Sequence, residues 1–275
     1  MAKAKTSTTK DKTKRPAAAK ATKTAVVTPV ATPVEAKVTR VSTSKKLTRS
    51  AVAGELVLGS LVAELLGTFI LTAALLNSGG NVIIAGLTVM VLVMALSRLS
   101  GGHINPAVTI AMWATKQISA IKAAGYVVAQ VVGAMLALVV VTQFVNAAPV
   151  DNLTGQTAGV FALPEMAEQW RPVLGEALGA LVFGLAVAAA VMGRKNSHES
   201  GFIVGGGLLV GLIIASLGSP SVLNPAVAVG LSGYQMDNLW TVLAFAIAPV
   251  VGVVAGAWLY KLLQWDVTGE KELKD

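Results

Sequence analysis

Two Asn-Pro-Ala triplets, Asn105-Pro106-Ala107 and Asn224-Pro225-Ala226, are the residues of this chain whose types and spacing could do chemistry. That chemistry is recognition of a passing molecule, with no bond made or broken. Asn at a helix N-cap can turn its side-chain oxygen onto the local backbone and leave its amide hydrogens for another partner. Pro at the first helical position removes one orphan donor, and Ala keeps the contact thin. Two such helix N-termini facing each other would set two positive dipole ends together, opposing cations while offering donors to a neutral oxygen. One Asn-Pro would be a turn opener and nothing more. Two of them, each ahead of a short apolar run, predict a pore.

Other chemistry is poorly supplied. The chain has no Cys and only His103 and His198, with no clustered acids around them, so no metal site is expected. No phosphate-cradling glycine loop and no Ser, His and Asp in a nucleophilic pattern occur, so neither an enzyme nor a cofactor is expected. Glu64 and Glu176 are ionisable groups inside apolar segments, where a carboxylate by default suggests function, often proton relay. His103, two residues before Asn105, either titrates as a gate or orients backbone carbonyls.

The elements that must position these residues are apolar. The 275 residues are 54% hydrophobic and 13% charged, which places the chain among membrane proteins. Apolar stretches of spanning length are expected near 54–76, 81–99, 121–145, 173–193, 201–218 and 239–262. The runs at about 105–115 and 224–232 are too short to cross a hydrocarbon core of roughly 30 Å and are expected to be re-entrant. The fold class predicted is an all-α membrane protein of six transmembrane helices plus two re-entrant half-helices.

The halves repeat. Glu64 with Gly67 in the first span matches Glu176 with Gly179 in the fourth, and each Asn-Pro-Ala follows its Glu. Three spans per half is an odd number, so the halves enter the membrane in opposite senses and form an inverted repeat. Repeat one is expected over about 54–145 and repeat two over about 173–262, within a channel domain at 50–265. Non-helical backbone at membrane depth is tolerated where it is buried in protein or lines a watery cavity, which again predicts a pore. Small-residue spacings at Gly175/Gly179, Gly207/Gly211 and Gly252/Gly256 are expected to let helices cross closely.

Residues 1–49 read as a disordered basic tail, and 266–275 as a short polar C-terminal tail. The first 50 residues hold 13 Lys and Arg against two acids, Asp11 and Glu35, a net +11. No aromatic residue stands among them for base stacking, which argues against nucleic acid and for an orientation signal that touches anionic lipid. With six crossings, both termini are expected in the cytoplasm of a plasma (inner) membrane. Arg98, Lys116, Lys122, Arg194 and Lys195 fall on that same side, while the connection at about 146–171, with Asp151, Glu165 and Glu168 against Arg171, falls outside. His198, beside Arg194 and Lys195, reads as solvated.

The run Ser100-Gly101-Gly102-His103-Ile104-Asn105-Pro106-Ala107-Val108-Thr109 resembles the signature of the major intrinsic proteins, the aquaporin and aquaglyceroporin family. The resemblance extends over roughly 54–263. It implies a homotetramer in which each subunit holds its own pore for water or a small neutral solute. It implies that Glu64 and Glu176 accept hydrogen bonds from the re-entrant loops, so that with His103 they act as a scaffold. It also implies a constriction at Ala85, Leu212, Ser221 and Val227, where Val227 stands in the place of the family's usual Arg. Strict water channels of the family usually present His, Phe and Arg there, so this ring should be less polar and wider. The glycerol pattern is not matched either, since Val227-Ala228-Val229 lacks the Asp that follows the Arg, and Phe245-Ala246 ahead of Pro249 keeps one aromatic of a usual pair. A coupled secondary transporter and a structural membrane protein are the alternatives on the same fold.

Overall fold

The computed structural model describes residues 58–145, 168–232 and 238–272. The basic tail, with Asp151 and Glu165 of the expected outer connection, lies outside them. The described residues all belong to one unit, Lys46–Asp275.

Among the described residues every regular element is helical: α1 (Leu58–Ser78), α2 (Val82–Leu96), α3 (Pro106–Ala114), α4 (Ala120–Val145), α5 (Trp170–Met192), α6 (Ser197–Ala215), α7 (Pro225–Ser232), α8 (Leu239–Val242), a π-helical turn (Leu243–Ile247) and α9 (Ala248–Glu272). Asn side chains start three of them besides the two half-helices. Asn81 Oδ1 accepts from the N–H groups of Ile83 and Ile84, Asn196 Oδ1 from those of His198 and Glu199, and Asn238 Oδ1 from that of Thr241. Each cap satisfies donors that the first helical turn would otherwise leave orphaned.

Among the described residues, five segments are long and apolar enough to cross a membrane, the last being Leu239–Gln264 across the π turn. The predicted span at 81–99 differs, because α2 is 15 residues long and covers about 22 Å. Its backbone nevertheless continues as a turn: the N–H groups of Ser97, Ser100 and Gly101 donate to the carbonyls of Val93, Leu96 and Ser97. The chain thus stays hydrogen-bonded from the Asn81 cap to the loop that carries Asn105. At the other end of the chain, the polar C-terminal residues continue α9 as far as Glu272.

The π turn has a local cause. Pro249 cannot donate a hydrogen bond, and its ring crowds the carbonyl four residues back. One residue earlier the Ala248 N–H donates five residues back, to Leu243 O. The widened turn absorbs the proline and keeps Phe245 buried.

Packing follows the repeat. α1 lies along α4 as α5 lies along α9, and the central α2 packs on α6. The half-helices are exchanged, since α3 packs on α9 and α7 on α4. Each repeat therefore packs against the other's re-entrant piece. Buried polar side chains, including Glu64, Thr68, Thr109, Gln130 and Glu176, lie inside, while Val91, Val128, Phe144, Phe202 and Ile213 face outward. A polar interior within an apolar exterior suits a lipid surround.

Glycines set the distance between helices. A Cβ at Gly211 would stand 2.6 Å from Gly179 O, and a Cβ at Gly179 would collide with Gly211 O. Gly252 and Gly256 meet Ala177 O and Leu181 O in the same way. α5 is thereby held close to α6 on one side and to α9 on the other. Gly86 and Gly205 do the same for α2 against α6, where a Cβ on Gly205 would be 2.7 Å from Gly86 O.

Candidate functional site: the paired Asn-Pro-Ala caps

The two triplets cap α3 and α7. Asn105 has extended backbone (φ −159°, ψ 123°) and Pro106 occupies the first helical position. Asn105 Oδ1 accepts from Ala107 N at 2.8 Å, and Asn224 Oδ1 accepts from Ala226 N at 3.1 Å and Val227 N at 3.3 Å. The side-chain amides face across the repeat. Asn105 Nδ2 donates to Leu223 O at 2.8 Å, and Asn224 Nδ2 donates to Ile104 O at 2.9 Å. Each cap is therefore fastened to the carbonyl that precedes the other. An amide carries two donor hydrogens, and this reciprocal pair uses one on each.

The loops before the caps are bent the same way. Ile104 and Leu223, each one residue before its Asn, have φ of 54° and 51°, while Gly102 and Ser221, three before, have 65° and 66°. A left-handed backbone is uncommon for any side-chain-bearing residue and a clear outlier for β-branched Ile, at a cost of roughly 1–3 kcal/mol. A buried carboxylate holds each bend. Glu64 Oε1 accepts from Ser100 Oγ at 2.6 Å and His103 N at 3.0 Å, and Oε2 accepts from Ile104 N at 2.6 Å. Glu176 does the same for Ser219 Oγ, Val222 N and Leu223 N. In both halves the donors lie five, two and one residues before the Asn. Each Ser then accepts from the N–H two residues on, Gly102 and Ser221 respectively.

The first half adds a support that sequence reasoning missed. Gln130 Nε2, on α4, donates to Glu64 Oε2 at 2.7 Å and to Thr109 Oγ1 at 2.9 Å. Thr109 Oγ1 is also 3.2 Å from His103 Nδ1, and the His103 ring meets Tyr126 edge to face, 5.4 Å between centroids. Tyr126 Oη donates to Ser100 O at 2.7 Å. His103 is thus tied to α3 and α4 at once. Gln and Tyr in an apolar run give no periodic signal, which is why Gln130 and Tyr126 were not anticipated. Ser100 and Ser219 could have been found, since both stand five residues before an Asn. Replacing Gln130 with Leu is predicted to remove two buried hydrogen bonds and cost about 1–3 kcal/mol, read as an earlier thermal melt in detergent. An unchanged melt would mean that Glu64 does not depend on Gln130.

Ala85, Leu212, Ser221 and Val227 all line one narrow cavity of about 30 Å³, together with His103, Asn105 and Asn224. Since one water needs about 10–15 Å³ measured this way, the space has room for about two or three. Leu71, Leu75, Phe183 and Leu208 close its sides. On another side of His103 lies a separate space of about 390 Å³, bounded by α2, α5 and α6, with a neighbouring recess of about 320 Å³ against α4. His103 lines all three. His198 starts α6 and is exposed, and no cluster of His, Asp and Glu suited to a metal occurs among the described residues.

An inverted repeat of apolar helices, with two half-helices fastened cap to cap beside an internal cavity, defines a polytopic helical membrane protein. The major intrinsic protein family model matches residues 54–260, and the chain belongs to that family. It is 32% identical over 216 residues to Glycerol uptake facilitator protein-like 6 of Lactiplantibacillus plantarum, covering 74% of this chain and 96% of that protein. It is 30% identical over 235 residues to Aquaporin Z of Photorhabdus laumondii (75% and 97%) and 30% over 231 residues to Nodulin-26 of Glycine max (76% and 79%). The fold is shared with the aquaglyceroporin from Plasmodium falciparum, at a TM-score of 0.56 and 20% identity over 74% of this chain and 95% of that one.

Proposed function

We propose that this chain is a passive channel for water and small neutral solutes such as glycerol or urea, with Ala85, Leu212, Ser221 and Val227 as an arginine-free constriction. The observation that carries the reading is the single cavity lined by those four residues and by both Asn. The remaining hydrogen on each Asn amide is the donor offered to a solute oxygen, while the helix N-termini behind it oppose cations. Glu64 and Glu176 serve as scaffold. Both carboxylates accept from donors of the strained loops, and Glu64 also from Gln130, which supports positioning over proton transfer. Relatives named for aquaporin and glycerol uptake favour the same class.

The ring offers one hydroxyl, Ser221, among apolar side chains. Water entering it gains fewer hydrogen bonds than at a ring of His and Arg, so selection falls on size and on how readily a solute sheds its hydration. We further place both termini in the cytoplasm of a plasma (inner) membrane, with the basic tail charge facing anionic lipid, and the protein in a homotetramer. The tail charge and the basic residues near His103 support the orientation.

Val227 is buried and lines the cavity, so an Arg at 227 must enter the constriction. Val227→Arg is predicted to slow glycerol and urea entry at least about tenfold while water still passes, because it adds bulk and a fixed charge. Proteoliposome re-swelling in each solute measures this. Unchanged glycerol entry would remove Val227 from the constriction.

A further inference from the structure

The mouth on the His103 side is basic. Arg98 lines both the 390 Å³ space and its 320 Å³ neighbour, Lys195 lines the first and Lys122 the second. Among the described lining residues of either space there is no Asp or Glu. Arg98 follows the last turn of α2, and Lys195 ends the short turn between α5 and α6. Lys122 is anchored toward the loop, with its ammonium 5.3 Å from the Tyr126 ring whose hydroxyl binds Ser100 O. Glu199, in the first turn of α6, is exposed and lines neither space, and neither does Glu64. Glu64 is buried behind His103 and occupied by Ser100, His103, Ile104 and Gln130.

We propose that Arg98, Lys195 and Lys122 make this mouth the electrostatic filter of the pore, excluding protons and other cations where the constriction itself carries no positive charge. The inference rests on the reading of that constriction given under Proposed function. Charges of one sign gathered at a recess with low-dielectric walls focus their field into it. A cation travelling toward the Asn pair crosses that field before reaching the half-helix N-termini, whereas water and a neutral solute are not opposed. The mouth and the paired caps then act in series on charge, and the apolar ring acts on size.

The test is the ratio of proton flux to water flux in proteoliposomes holding the full chain. Protons are followed with an interior pH dye under a potassium-valinomycin potential, and water by osmotic shrinkage of the same vesicles. The double variant Arg98→Gln/Lys195→Gln should raise the ratio roughly tenfold, from loss of two charges near the path. In the wild-type protein, raising ionic strength from about 0.01 M to about 1 M shortens the screening length from about 30 Å to about 3 Å and should raise the same ratio several-fold. A ratio unchanged by salt in the wild-type protein overturns the proposal even if the variant fails to fold, and so does an unchanged ratio in a variant that still passes water. Absence of osmotic water flux in the wild-type protein would instead overturn the channel reading on which the inference rests.

Discussion

Glu64→Ala is expected to abolish flux and to destabilise the protein by at least about 4 kcal/mol. The carboxylate accepts from Ser100 Oγ, His103 N, Ile104 N and Gln130 Nε2, and it is buried. Each buried donor left without a partner costs about 1–3 kcal/mol, and the four are coupled and do not add simply. The loss also frees Ile104 from a left-handed backbone that only its surroundings enforce. Once Ile104 relaxes, its carbonyl moves away from Asn224 Nδ2, and the cap-to-cap fastening fails with it. Glu64→Gln should fall between, because one oxygen remains an acceptor while the new amide hydrogens confront donors on the other side. Thermal melting in detergent and osmotic flux in vesicles read the two effects. An Ala variant that melts and conducts like the wild-type protein would show that the loop holds its bend without Glu64.

The second large effect is steric. Gly179→Leu is predicted to prevent assembly of the bundle, since even a Cβ there collides with the carbonyl of Gly211 on α6. The clash is with backbone, so no rotamer relieves it, and α6 would have to move off α5. α5 is also fixed to α9 at Gly252 and Gly256, which leaves it little freedom to retreat. Gly179→Ala should cost roughly 1–3 kcal/mol by overpacking, and Leu should leave no monodisperse protein on size exclusion. Gly206, which has open space around it, is the control, and Gly206→Leu should be recovered as a folded protein. Equal recovery of both Leu variants would rule out the close crossing of α5 and α6.

Much of this arrangement was legible in the sequence, because the strongest signals are local or repeated. Run lengths separate the half-helices from the longer segments, and Asn-Pro at the head of a short apolar run is a cap that needs no distant partner to be recognised. The repeat placed Glu64 and Glu176 in matching positions. What the sequence leaves hidden depends on contacts between distant residues. Nothing at Leu223 or Ile104 announces that each carbonyl accepts from an Asn more than 100 residues away. A left-handed Ile is contrary to its own preference and is set by the loop around it. The shortness of α2 was hidden by Leu99, which carries the apolar reading past Ser97 and Arg98, although the backbone there has already changed to turns. Gln130 bridges α4 to Glu64 from within a run chosen by lipid and packing, where one polar residue does not disturb the pattern. The π turn could have been suspected from Pro249 inside a long helix.

Passive movement of neutral molecules through the cavity beside the paired caps is tested most directly by stopped-flow light scattering on proteoliposomes. Shrinkage in an impermeant osmolyte and re-swelling in glycerol or urea would be followed with and without imposed proton and sodium gradients. A passive channel gives water and solute rates well above those of protein-free vesicles and independent of either gradient. Rates that follow a gradient would indicate a coupled transporter, and rates equal to those of bare lipid would contradict a channel altogether.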